Sequence, residues 1–190
     1  MSGSVPHGNI TASGPMTRGD LLMLLYWFSD TSAVPEVRGI RGLSRLTRMA
    51  IILGKETGLD RDIQTYFHFH VTPQGGIASV GVWEELLRLR SYQVTVPLRC
   101  LEPMPKEEMA ERKYLLDEHI PPHERSEFPL PTEYERDVLT NKGTFFAAKR
   151  EDQMVGRRID VMKRAASLEK LPLAELTAMA LPLVRVPAGR

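Results

Sequence analysis

The sequence feature that most constrains the fold is an uninterrupted run of eight apolar side chains from Leu21 to Phe28. This run is far shorter than the roughly 20 residues that a helix needs to cross a bilayer, so no membrane span is expected. In a helix over about residues 18–29, the side chains point in every direction, which is typical of a helix at the centre of a core. Thr17 as N-cap and Asp20 in the first turn predict where the helix begins.

The composition is that of a globular protein with nearly balanced charge. The chain has 190 residues, 42% of them hydrophobic and 26% charged, which is enough for one full domain. The net charge of +1 excludes a histone-like polycation but is compatible with a local basic face. The single cysteine, Cys100, excludes an intramolecular disulfide framework and a four-cysteine zinc site. We expect a cytoplasmic location, because no positively charged segment precedes an apolar core at the N-terminus.

Changes in composition divide the chain into three parts. Residues 1–15 are rich in Gly, Ser and Pro and predict a flexible tail. Residues 16–148 are expected to form the main domain, and residues 149–190 a helical extension. Within the main domain, residues 102–131 are acidic and proline-rich, and we expect this insertion to lie outside the core because carboxylates are costly to bury unpaired.

The remaining elements follow from apolar periodicity and turn residues, and together they predict a mostly α fold with a small β wing. Strands at 93–98 and 134–139 are expected to pair as a hairpin interrupted by the long insertion. A third helix is expected to begin after the N-cap Ser79. The other predicted elements are a second helix from 38 or 42 to 55, an extended segment at 64–71, a turn at 72–76, a helix within the insertion at 106–116, and helices at 144–167 and 172–183.

This order of elements is the winged-helix order, and particular motifs strengthen the likeness. Residues 40–49 (IRGLSRLTRM), the 75–89 turn and helix, the LTNKG of residues 139–143 and the terminal helix at 168–181 resemble segments of the small prokaryotic YwgA-like proteins. The resemblance implies a winged-helix-like core and a nucleic-acid-binding or regulatory role. It carries over no catalytic residue, and a fold by itself does not settle function.

Five basic residues and no acidic one lie between positions 38 and 55. At helical spacing they fall opposite the apolar positions Leu43, Leu46, Ala50 and Leu53. Arginine presents a planar fork of donors that matches phosphate oxygens, so this helix predicts contacts to the backbone of a nucleic-acid duplex. The predicted contact residues, including two from the third helix, are Arg38, Arg41, Arg45, Arg48, Lys55, Arg88 and Arg90.

Two alternatives to this interpretation remain open. In the first, the basic residues of the second helix face solvent or pair with the acidic insertion, which carries about the opposite charge. In the second, the protein is a structural or adaptor subunit that docks on a protein partner or a larger complex through the insertion and the tails. Glu84 and Glu85 lie on the third helix, and phosphates that line a groove would repel their charges. These residues therefore argue against recognition of bases by that helix.

The sequence predicts no catalytic residue, metal site or cofactor. His68 and His70 share one face of a strand, whereas Ile-Pro-Pro separates His119 from His123 and prevents a helical zinc pair. No motif supplies Cys100 with a base and an oxyanion pocket. A second basic cluster is interspersed with carboxylates and predicts a solvated helix. It comprises Lys149, Arg150, Arg157, Arg158, Lys163 and Arg164.

Overall fold

The structure is a computed structural model that describes residues 16–29, 39–56, 67–127, 133–154 and 157–184. These residues form a mostly helical fold with small antiparallel sheets. None of the helices that the structure describes is long and apolar enough to cross a bilayer. The predicted tail at 1–15, residue Arg38 and the start of the predicted extended segment lie outside the described residues.

Short strands separate the first five described helices, and the last three helices follow without a described strand between them. The helices are α1 (Arg18–Ser29), α2 (Leu43–Glu56), α3 (Val80–Ser91), α4 (Lys106–His119), α5 (Asn141–Glu151), α6 (Arg157–Lys163), α7 (Ala165–Glu169) and α8 (Leu173–Ala180). The strands are β1 (Ile40–Arg41), β2 (Phe69–Val71), β3 (Ile77–Ser79), β4 (Thr95–Arg99) and β5 (Glu135–Leu139). The single helix predicted at 144–167 is wrong, because α5, α6 and α7 divide this region.

Helix α1 occupies the centre of the core, as its apolar sequence predicts. Its side chains from Leu21 to Tyr26 are buried, and it packs against α2, α3, α5, α6 and α7. Thr17 and Asp20 cap its first turn reciprocally. The Thr17 N–H donates to Asp20 Oδ2 at 2.8 Å, and the Asp20 N–H donates to Thr17 Oγ1 at 3.1 Å. The predicted bounds and start of α1 are therefore confirmed.

The predicted hairpin with a long insertion is also confirmed. Strands β4 and β5 pair antiparallel from Thr95 opposite Leu139 to Arg99 opposite Glu135. Strand β1 pairs with the other side of β5, which gives a three-stranded sheet in the order β1–β5–β4. Strand β4 therefore forms one edge of this sheet.

Pro97 protects the free edge of β4. The N–H of Cys100 donates to the carbonyl of Tyr134, so the even-numbered residues of β4 direct their hydrogen-bonding groups toward β5. Pro97 therefore faces the outer edge, where its missing N–H costs no hydrogen bond within the sheet. The same missing donor obstructs the addition of another strand at this edge.

A second, two-stranded sheet positions the start of α3. Strands β2 and β3 pair from Phe69 opposite Ser79 to Val71 opposite Ile77, around a turn in which Gly75 has φ +79°. The Ser79 hydroxyl accepts a hydrogen bond from the Val82 N–H at 3.0 Å, which confirms the predicted N-cap of α3.

The expectation that the acidic insertion lies outside the core is wrong for its helical part. Helix α4 buries Leu115 and Leu116 together with Glu108, Glu111 and Arg112. Burial of these carboxylates is tolerated because each has charged and hydrogen-bonding partners in the core. The helical part of the insertion therefore belongs to the core.

We predict that Leu46→Ala and Leu86→Ala each lower the free energy of unfolding by about 2–5 kcal/mol, because both side chains are buried among the first three long helices. Leu101→Ala is the matched control, since Leu101 is fully exposed, and it should change stability by less than about 0.5 kcal/mol. Urea denaturation measures all three. Wild-type stability in either buried variant would contradict the described packing.

Candidate functional site

Helix α2 does not present an exposed basic face. Its residues from Leu43 to Gly54 are all buried, and the Arg48 side chain is only 1% exposed. The spacing of residues in a helix correctly separates the arginines of α2 from its apolar positions. However, α4, α7 and α8 also pack on α2. The side of α2 expected to meet solvent therefore meets other parts of the chain.

All three guanidinium nitrogens of Arg48 donate to acceptors inside the protein. Its Nη1 donates to Glu111 Oε2 at 3.0 Å and to the Ser44 carbonyl at 2.9 Å, and its Nη2 pairs with Glu111 Oε1. Its Nε donates to Thr177 Oγ1 at 2.7 Å. Arg48 thus joins α2 to α4 and α8, and its charge is neutralised inside the protein.

Glu111 is satisfied from three directions. Besides the Arg48 guanidinium, its carboxylate accepts hydrogen bonds from the Ser44 hydroxyl and from the Ile77 N–H, the latter at 3.1 Å. Gly76 makes this approach possible, because a Cβ at that position would collide with Glu111 Oε1. These donors satisfy both oxygens of a carboxylate that is buried in the core.

Glu108, one helical turn before Glu111, caps the N-terminus of α2. Its two carboxylate oxygens accept hydrogen bonds from the Leu43 and Ser44 N–H groups at 2.7 and 2.8 Å. The residue that precedes α2, Gly42, has φ +77° and no side chain to cap the helix. The cap therefore comes from α4, where a negative charge also suits the helix dipole, and Arg112 neutralises it at 2.7 Å.

Arg45 also bonds inside the protein. Its Nη1 donates to the carbonyl oxygens of Glu169 and Leu171 at 2.7 and 2.6 Å, which lie at and just beyond the end of α7. A cation at this position satisfies carbonyls left open by the helix end. Burial lowers the pKa of the Arg45 guanidinium from its ordinary value, with Glu169 opposing that effect.

Arg90 on α3 forms a partly buried ion-pair network with β5. Its Nε and Nη2 donate to the two oxygens of Asp137 at 2.7 and 2.8 Å, and Nη2 also reaches Glu135 at 2.8 Å. Burial disfavours the charged guanidinium, but the hydrogen bonds and charge of Asp137, together with Glu135, outweigh it and raise the pKa of Arg90. Arg90 therefore fastens α3 to the sheet.

The predicted nucleic-acid-binding residues consequently fall into two groups. Arg45, Arg48 and Arg90 are engaged inside the fold, and the part-buried Arg41 lies 3.3 Å from Glu102 and 3.6 Å from Glu169. Lys55 and Arg88 are exposed. The structure does not bring these six residues onto one exposed surface, and Arg38 lies outside the described residues. Their part in nucleic-acid binding stays a prediction.

A different exposed surface combines aromatic rings with cations at the end of α3 and along α5. Tyr92 is 59% exposed, Phe145 66% and Phe146 43%. The two phenylalanine rings are 5.7 Å apart in an edge-on arrangement, and the Lys142 ammonium donates to the Tyr92 carbonyl at 2.8 Å. We define the aromatic–basic surface as Arg88, Tyr92, Lys142, Phe145, Phe146 and Lys149.

The sequence contained a sign of this surface that apolar periodicity did not reveal. In α5 only Gly143 and Ala147 are buried, because the helix rests on the core through its small residues. Gly143 allows the closest approach, since a Cβ there would collide with the Val94 carbonyl. Large aromatic residues beside such a small-residue stripe must point outward.

A cleft of about 660 Å³ lies between α1, α3 and α5 and borders the aromatic–basic surface. Arg88, Tyr92, Phe146 and Lys149 belong to both the surface and the cleft wall. Glu85 lies in the same wall, 3.4 Å from the guanidinium of Arg88. The cleft thus brings aromatic, cationic and acidic groups together.

Two of the histidines meet in space. The rings of His70 and His119 are 5.1 Å apart, with Tyr114 edge-on to His119 at 5.9 Å. Burial lowers the pKa of His70, with the charges of His119 and His68 adding to the effect. Within the described ranges no group of three or more His, Cys, Asp or Glu side chains is placed to hold a metal ion.

Cys100 follows β4 and is part-buried. Burial raises the pKa of its thiol, with the positive charge of Arg136 acting in the opposite direction. A raised pKa reduces the fraction of nucleophilic thiolate at neutral pH.

No family model, curated protein or solved structure matches this chain.

We predict that Glu111→Gln lowers the free energy of unfolding by about 3–5 kcal/mol, because it leaves the buried charge of Arg48 without its partner. Glu107→Gln on the exposed side of α4 is the matched control and should be nearly neutral. Replacing both members, as in Arg48→Met with Glu111→Leu, should cost less than Glu111→Gln alone. Chemical denaturation of the four proteins tests this, and equal stability of Glu111→Gln and wild type would contradict it.

We predict that acidification destabilises the protein partly through His70. Because its pKa is lower in the folded state than in the unfolded state, folding releases protons, and stability falls as pH decreases through about 6.5 toward the folded value. His70→Gln should therefore lose less melting temperature than wild type between about pH 7 and pH 5. His123→Gln, at an exposed histidine, should behave like wild type. Identical pH profiles for His70→Gln and wild type would refute the assignment.

Proposed function

We propose that this protein is a non-enzymatic, winged-helix-like module that binds nucleic acid through the aromatic–basic surface and acts as a regulator. The chain order of α1, α2, the short strands β2 and β3, α3, and then β4 and β5 supports the winged-helix part of the proposal, because it is the order on which the resemblance rests. The joining of the short β1 to the β4–β5 hairpin also supports it. The long insertion then lies between the two wing strands.

The observation that carries the proposal is the exposure of three aromatic rings among three cations. Bases of a single strand stack on exposed aromatic side chains, while Lys and Arg neutralise the adjoining phosphates. From Asn141 to Lys149, α5 contains no carboxylate, so its exposed side is free of groups that repel phosphate. Large aromatic side chains left exposed in a cluster are typical of a binding surface.

Because the arginines of α2 bond inside the protein, the proposal places the phosphate contacts on other helices. Arg48 donates from all three guanidinium nitrogens inside the protein, and Arg45 donates twice from its Nη1. Breaking those bonds to reach a phosphate would leave buried acceptors unpaired. The cations Arg88, Lys142 and Lys149 have exposed side chains, with Arg88 bonded to Glu85 and Lys142 to the Tyr92 carbonyl. The proposal therefore keeps nucleic acid as the ligand but moves the contact surface.

A second candidate function is docking of a protein partner on the outer face of the wing sheet. Val96 and Leu98 alternate along that face of β4 and are exposed, and the fully exposed Leu101 follows. Arg41 and Arg136 share the face, since Arg41 and Leu98 both pair with Arg136 across the sheet. An apolar partner segment flanked by carboxylates fits this combination.

The first candidate predicts salt-dependent binding of single-stranded oligonucleotides, measured by fluorescence anisotropy from about 50 mM salt upward. Phe145→Ala with Phe146→Ala should weaken binding by about 5-fold or more for each base that loses a stacking partner. Lys142→Ala with Lys149→Ala should flatten the log–log salt slope by about 0.7 for each phosphate that the lysines no longer neutralise. All variants should remain folded, because these side chains are exposed.

Arg99→Ala is the matched control, since Arg99 is an exposed arginine at the far end of β4. It should bind like wild type. Undetectable binding of single strands and duplexes at about 50 mM salt would overturn the nucleic-acid proposal. Equal effects of Arg99→Ala and the α5 variants would overturn the assignment of the surface.

A further inference from the structure

We infer that the cleft between α1, α3 and α5 receives one unstacked base of a single strand and selects bases that carry an exocyclic amino group. The inference rests on the proposed function and adds to it the number of bases inserted and the chemistry that selects them. The volume of the cleft, about 660 Å³, lies within the range of about 300–1,000 Å³ typical of small-molecule sites.

The walls of the cleft offer apolar surface for the base of a nucleotide and cations for its phosphate. Met23 and Leu89 are buried and line it with apolar surface, while the rings of Tyr92 and Phe146 are exposed at the same cleft. These groups fit the faces of a base. Arg88 and Lys149, both exposed, fit the phosphate.

One acidic residue of the cleft is already committed to the fold. Asp20 Oδ2 accepts the N–H of Thr17 at 2.8 Å and lies 3.2 Å from the guanidinium of Arg150. Arg150 also donates to Gln153 at 2.9 Å. Asp20 and Arg150 therefore neutralise each other and brace the N-terminus of α1.

Glu85 is the group that selects the ligand. The Glu85 side chain is 8% exposed, and its carboxylate lies 3.4 Å from the guanidinium of Arg88. The Arg88 side chain is 66% exposed. Gly19 leaves room for this carboxylate, because a Cβ there would lie 2.8 Å from Glu85 Oε1. A carboxylate deep in a cleft repels phosphate but accepts hydrogen bonds from the amino group of cytosine, adenine or guanine.

The same geometry favours a single strand over a duplex. A base can enter the cleft only after it leaves its stack, which costs a few kcal/mol in a duplex and much less in a single strand. Thymine and uracil present a carbonyl where cytosine presents its amino group. Two acceptors would then face each other, so a thymine strand should bind more weakly than a cytosine strand.

The test compares single-stranded oligo(dC) and oligo(dT) of about 12 nucleotides with the full chain. We expect oligo(dC) to bind about 10-fold more tightly than oligo(dT), and both more tightly than a duplex. Glu85→Gln, which supplies an amide donor for the thymine carbonyl, should reduce or reverse the preference. Glu84→Gln is the matched control, since Glu84 is exposed on the same helix, and should keep it.

A second variant keeps the test decisive if Glu85→Gln does not fold. Gln153→Trp places an indole at the exposed rim of the cleft and should abolish the cytosine preference while retaining binding to the aromatic–basic surface. Binding of both strands with no preference would overturn this inference and leave the proposed function standing. Binding of neither strand would overturn both.

Discussion

The structure depends above all on the buried ion pair between Arg48 and Glu111. An unpaired charge at either position would cost several kcal/mol, so α4 and α2 must pack together for the core to form. One turn away, Glu108 caps α2 at a glycine that has no side chain to do so. Two carboxylates of the acidic insertion thereby hold the basic helix in place, and the helix α4 of that insertion becomes part of the core.

This arrangement decides what remains on the surface. Arg45 and Arg48 bond to α4, α7 and α8, and Arg90 bonds to β5. The cations left exposed beside aromatic rings belong to α3 and α5, around a cleft that also contains Glu85. A charge pattern that is typical of a phosphate-binding helix therefore bonds inside the protein, while the candidate ligand surface lies on α3 and on α5, which rests on the core through small residues.

Elements whose cause is local could be predicted well. The all-apolar run predicted α1 and its central position, Ser79 predicted the start of α3, and the β-branched segment after α3 predicted a strand of the hairpin. The burial of α4 in the core could not be predicted, because few of its residues are apolar. The sequence does not show that its buried polar groups have partners. The aromatic–basic surface was missed for the converse reason, since Phe145 and Phe146 are apolar by composition yet point outward.

The sequence by itself determined where α1 and α3 begin, that α1 is central, and that β4 and β5 pair across a long insertion. Only the tertiary structure decided which charges meet. Arg48 and Glu111 are separated by 63 positions along the chain, and nothing local links them. Periodicity and capping act over a few residues, whereas the energies of ion pairing and desolvation depend on distance and burial in space. The same arginine can therefore contact a phosphate or neutralise a buried carboxylate, and only the fold distinguishes the two.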